Sequence, residues 1–127
     1  MQKDLLYCPI DVSKDKLDVG GVALALPAQL GNDQAAYRQL IKAAKRHGGP
    51  VQFVFESTGP YHLGLALALW EAQMPLSILN PARVRHFAQA QGKAKTDPLD
   101  KQVIGDFAQA FRPPPTPAPD ELSRQLT

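Results

Sequence analysis

A strand that must be covered on both faces is written into Val51 to Phe55, a β-branched and aromatic run broken only by Gln52. Gly48-Gly49-Pro50 closes it in front, and Glu56 follows it directly. A short apolar run between turn signals reads as a buried strand, and a buried strand requires layers of chain on either side of its sheet. Helical patterns supply those layers. Asn32 or Asp33 is placed to cap a helix running to about His47, with Ala36, Leu40, Ala43 and Ala44 on one face. Leu63 to Trp70 alternates leucine with glycine or alanine, nominally a strand period. Leu and Ala are strong helix formers, however, and Pro60 suits a first helical turn, so the expectation is a helix from 60 to 72 with Thr58 as its cap. A strand over 75–79, a helix over 81–90 and a helix over 98–111 complete the body.

Ahead of these, Leu5 to Ile10, Leu17 to Val19 and Val22 to Leu26 read as two or three antiparallel strands with Gly20-Gly21 as a turn or bulge. Pro9 is awkward there. Proline donates nothing to a ladder, so a distorted or edge-like segment is expected just before Asp11. Strands alternating with helices after a meander imply an α/β fold, a mixed sheet with helices on its faces.

The chain has 127 residues, enough for one core. Its hydrophobic fraction of 44% and charged fraction of 20% exclude a disordered body. No apolar stretch approaches the roughly 20 residues of a membrane span, and the N-terminal run is too short for a signal peptide. Net charge is +2, which permits a polyanionic partner without requiring one. Cys8 is the single cysteine, so no internal disulfide forms; it reads as a small buried hydrophobe, and the expected location is the cytoplasm. Residues 113–119, Pro-Pro-Pro-Thr-Pro-Ala-Pro, read as a stiff spacer outside any core, and 120–127 as the start of a truncated helix leading to a further domain.

Acids mark the places where the chain turns. Asp11 closes the first apolar run and Glu56 the buried strand, while Asp97 and Asp100, three residues apart, open the last helix from one side of its first turn. Each has an ordinary structural reading. Asp97 before a proline is a natural N-cap, with Asp100 completing a capping-box-like arrangement. Brought together, four such carboxylates would instead hold hard divalent cations of the kind used in phosphodiester chemistry. Crowded acids also repel, so without a cation at least one should be protonated or turned away. Between 81 and 96 the charged residues are Arg83, Arg85, Lys93 and Lys95, with no acid among them. Such a stripe attracts phosphate, and Lys95 and Thr96 adjoin the acidic pair.

Ile10-Asp11-Val12-Ser13-Lys14, Glu56-Ser57-Thr58-Gly59-Pro60-Tyr61-His62, Asn80-Pro81-Ala82-Arg83 and Lys95-Thr96-Asp97-Pro98-Leu99-Asp100 occur in that order. Together they strongly resemble the DEDD transposases of bacterial insertion sequences, the family numbered one-ten, over residues 5 to 111. The resemblance implies an RNase H-like, RuvC-like domain over 1–112, with Asp11, Glu56, Asp97 and Asp100 as catalytic acids that bind Mg²⁺, for which Mn²⁺ would substitute. It implies DNA cleavage and rejoining guided by an element-encoded RNA, a second domain with a nucleophilic serine, and a homo-oligomeric full-length protein. The present residues alone are then expected to be weak or inactive. Pro9 stands where the family usually has glycine, and Lys101, placed to approach the metal or a phosphate, where it usually has alanine. The rival readings are a RuvC-like structure-specific nuclease and a non-catalytic nucleic-acid docking module; actin-like ATPases are disfavoured because no glycine-rich phosphate loop is present.

Overall fold

The computed structural model describes residues 4–122. Five strands form one sheet: β1 (Leu6–Val12), β2 (Lys16–Val19), β3 (Gln29–Gly31), β4 (Val51–Glu56) and β5 (Leu76–Leu79). Their order is β3-β2-β1-β4-β5. β1 pairs parallel with β4 and β4 with β5, whereas β1–β2 and β2–β3 are antiparallel. The helices are α1 (Gln34–His47), α2 (Leu63–Glu71), α3 (Pro81–Ala90) and α4 (Lys101–Phe111). Strand alternation divides them between the two faces. Cys8, Ile10, Phe53 and Phe55 pack with Leu40 of α1 and with Leu65 and Leu69 of α2. Tyr7 and Val54 pack on the opposite face with Val84 of α3 and with Val103, Ile104 and Phe107 of α4. The fold is thus the expected α/β one, a mixed sheet with helices on both faces.

Local chemistry sets the boundaries. Asp33 caps α1 by accepting from the Ala36 amide at 2.9 Å, and Gly48 ends it in the left-handed region at φ 78°. Asn80 caps α3 in the same way, with Pro81 at the first helical position.

Four expectations change. Val22–Leu24 is a short 3₁₀ turn rather than a strand, held by Leu24 and Leu26 amides donating to the Gly21 carbonyl. β2 takes Gln29–Gly31 as its partner instead. α2 begins at Leu63, because Gly59 adopts φ 62° and Tyr61 donates back to Thr58 in a turn that keeps Pro60 out of the helix. α4 begins at Lys101, because Asp100 rather than Asp97 is its cap. Finally, β1 is the central strand and not edge-like. Gly20 donates to the Pro9 carbonyl at 2.9 Å, so the missing Pro9 amide hydrogen faces β2 just beyond the last pair, Ile10 with Val19. The parallel ladder to β4 uses the alternate residues, beginning with Leu6 donating to Pro50, and proline leaves it untouched.

The proline-rich segment also departs from expectation, since it is bound to the outer edge of β5. Thr116 donates to the Leu76 carbonyl at 2.7 Å, and its hydroxyl accepts from the Ile78 amide at 2.9 Å. Two buried side chains, Gln52 and Ser77, bond each other and the Pro113 and Pro114 carbonyls, while the Trp70 indole donates to the Thr116 carbonyl. Buried polar groups in the sheet need partners, and this strap supplies them. Residues 120–122 are helical; the rest of the expected terminal helix lies outside the described residues.

Candidate active site

Parallel pairing places the C-terminal ends of β1 and β4 side by side. Pro9 is level with Val54, and continuing that register by two residues sets Asp11 level with Glu56. Both share the parity of Tyr7 and Val54, so both side chains face the layer of α3 and α4. Asp18 lies opposite Asp11 on β2, on the same face. Asp100 joins from above as the cap of α4, its carboxylate accepting from the Val103 amide at 3.1 Å.

Like charges held together alter proton affinity. Burial raises the Asp11 pKa, and the neighbouring charges of Asp18 and Asp100 raise it further. Glu56, 8% exposed, is pushed from 4.5 to about 7, first by burial and then by Asp11, with Arg85 opposing. This acid therefore holds its proton to a much higher pH than an ordinary carboxyl group.

Asp97 stands apart. Its carboxylate accepts from the Ala94 amide at 2.7 Å and its own amide donates to the Ala94 carbonyl at 3.0 Å, closing a turn before α4. The carboxylate is committed to that turn and not to the neighbourhood of Asp11 and Glu56. Arg85 bridges the two regions: its guanidinium donates to the Asp97 carbonyl while its charge favours ionised Glu56.

The predicted phosphate-contacting residues fall on α3 and the connection to α4. Arg83 is exposed and lies over the Phe107 and Phe111 rings, 5.7 and 5.9 Å from their centroids. Lys93, Lys95 and Thr96 are exposed, whereas Arg85 is half-buried and engaged within the chain. Thr58 does not cap α2. Its amide donates to His62 Nδ1 at 3.1 Å, and its buried hydroxyl has no partner among the described residues. Burial lowers the His62 pKa, in keeping with a neutral ring accepting at Nδ1.

Sequence reasoning missed Asp18 as a member of this neighbourhood, and with it the partner of Lys101. Lys101 Nζ lies 2.8 Å from Asp18 Oδ1. A signal for Asp18 existed: the tight β1–β2 connection, closed by Ser13 donating to Lys16, sets Asp11 opposite Asp18 by simple counting. Nothing local in the sequence pairs Lys101 with a residue 83 positions earlier.

As to a metal, the donor set fits a hard divalent cation in kind, since Asp11, Asp18, Glu56 and Asp100 offer only carboxylate oxygens whose mutual repulsion a cation would relieve. Among the described residues, no three acidic, histidine or cysteine side chains stand close enough to share one ion as they are placed. No helix among them is long and apolar enough to cross a membrane. Residues 8–127 match the family model described as transposase, the DEDD type of insertion-sequence group one-ten. No curated protein matches the chain.

Proposed function

The chain belongs to the DEDD transposase family, and from that premise we propose that its RNase H-like sheet carries the metal-dependent half of a DNA strand-cleavage and rejoining site. The observation that supports this most is the level placement of Asp11 and Glu56 at the ends of neighbouring parallel strands, with Asp100 above them. In this reading Asp11, Glu56 and Asp100 hold Mg²⁺, and Asp97 joins them when the 94–97 turn opens. The bound ion supplies activation of an attacking oxygen and neutralisation of the leaving one.

The chain's own residues have distinct tasks. Glu56, whose proton is held well above the usual carboxylate range, would have to give that proton up to serve as a ligand. Arg85 keeps the Asp97 backbone near Glu56, so that a change in this turn moves a carboxylate over a short path. Arg83, Lys93, Lys95 and Thr96 face solvent and are assigned to backbone phosphates of DNA or of a guide RNA. Guidance by RNA, oligomerisation and completion of strand transfer by a serine-bearing second domain are part of the proposal through the family resemblance.

Soaking crystals of the chain with Mn²⁺ tests the assignment. Anomalous density against Asp11 and Glu56 is the expected result, with Asp11→Asn removing it and abolishing metal-dependent DNA cleavage by a protein that contains this chain. Density elsewhere, or undiminished cleavage by Asp11→Asn, would sink the reading.

A further inference from the structure

Asp18 is the residue directly opposite Asp11, and both side chains lie on the face that α4 covers. Bonds two residues away on either side, Ser13 to Lys16 and Gly20 to Pro9, identify Asp11–Asp18 as a hydrogen-bonded antiparallel pair. In such a pair the Cα atoms are about 5.5 Å apart. Two carboxylates at that separation are within reach of one cation. A cation is already there: Lys101 reaches from the first residue of α4 to place Nζ 2.8 Å from Asp18 Oδ1 and 3.5 Å from the Val19 carbonyl. Lys101 also follows Asp100, the cap of α4, in sequence, so the helix start that carries one of the proposed ligands also carries this ammonium.

We propose that Asp18 is a fifth carboxylate of the metal site and that Lys101 is its built-in counter-ion, an ammonium competing with the divalent cation for the same oxygens. The inference rests on the reading of these acids as metal ligands. Lysine suits the task, being a compact point charge with three rotatable donors on a flexible stem. The pair is also easily parted. Its side chains are 32% and 37% exposed, and ion pairs at such exposure are held weakly because water screens them. A divalent ion brings twice the charge, so it displaces the ammonium toward solvent and frees Asp18 to ligate.

A purely structural tether between α4 and β2 makes the opposite forecast for Lys101, which renders the two roles separable. Mn²⁺ alone is the probe, titrated into the chain with free Mn²⁺ read by electron paramagnetic resonance. As a counter-ion, Lys101→Met tightens Mn²⁺ binding by about five- to tenfold, because a repelling charge leaves and a carboxylate is released. Asp18→Asn weakens binding by a similar factor, and Lys101→Arg, which retains the charge, matches the unaltered chain. Weaker binding in Lys101→Met identifies a tether and overturns the proposal. So does a Lys101→Arg variant that binds as tightly as Lys101→Met, since charge is then not the cause. If the unaltered chain and Lys101→Met both bind Mn²⁺ equally well, the counter-ion alone fails. If neither binds, the assignment of the acids as ligands fails with it.

Discussion

Glu56 makes the metal-free protein less stable as the solution becomes more alkaline, the reverse of the behaviour of a salt-bridged carboxylate. Its carboxyl holds a proton more tightly in the folded chain, at about 7, than in the unfolded one, near 4.5. Between those values the folded state binds more protons, so raising pH through this window draws the equilibrium toward unfolding. Below 4.5 the side chain is neutral in both states and its penalty vanishes; above 7 the penalty is complete. At 1.36 kcal/mol per tenfold change in proton affinity, the full effect is about 3 kcal/mol. Relaxation of the site around the ionised carboxylate reduces this to roughly 1–2 kcal/mol. Burial and the Asp11 charge cause the shift, so Glu56→Gln, neutral at every pH, should remove it. Urea unfolding in EDTA at pH 4.5 to 8, followed by circular dichroism, measures both proteins. The unaltered chain is expected to lose about 1–2 kcal/mol relative to Glu56→Gln across the window. A difference that stays constant, or grows in favour of the unaltered chain with rising pH, would refute the reasoning. Asp11, also raised, contributes in the same sense and remains in both proteins, which is why the comparison and not the absolute profile carries the test.

Two further outcomes follow from packing. Thr116→Pro removes the amide that bonds Leu76 and the hydroxyl that bonds Ile78, at about 1 kcal/mol each; Trp70 emission should shift to the red as its indole loses the Thr116 carbonyl, and an unshifted spectrum with unchanged stability would show the strap to be dispensable. At Gly105 a Cβ would lie 3.2 Å from Pro9 Cγ where α4 crosses β1. Gly105→Ala should leave stability near its starting value, the gain of up to about 1 kcal/mol in helix propensity offsetting the squeeze. Gly105→Val should destabilise by roughly 1–3 kcal/mol, and a thermal melt in which valine is tolerated as well as alanine would show that α4 does not rest on Pro9.

Much of the fold was legible because its signals are local. Caps at Asp33 and Asn80, the glycine after His47, and the apolar run ending in Glu56 each act within a few residues. What escaped depended on partners distant in sequence. Val22 to Leu26 has the composition of a strand, but the partnership with β2 went to Gln29–Gly31, which no propensity reveals. Pro9 argued against a central strand by a rule that holds for ladder interiors, and it failed because the proline nitrogen faces the frayed end of a shorter neighbour. For the site, the acids at the ends of β1 and β4 were readable from their positions, Asp18 on β2 was not, and the acids near α4 were not assigned to the right turn. Asp97 and Asp100 compete for one cap, and Asp100 holds it. Gln52 in the buried strand was an unexplained polar residue until Ser77 and the Pro113 carbonyl accounted for its hydrogen bonds.

The strap on β5 seals the sheet without extending it. Any ordinary strand laid against an open edge presents a fresh row of amide hydrogens on its far side, and with it an invitation to another chain. From 113 to 117 there is no such row. Pro113, Pro114, Pro115 and Pro117 have no amide hydrogen, and that of Thr116 is already bonded inward to Leu76. The sheet can therefore grow no further on this side, so the same prolines that close it guard the protein against edge-to-edge aggregation.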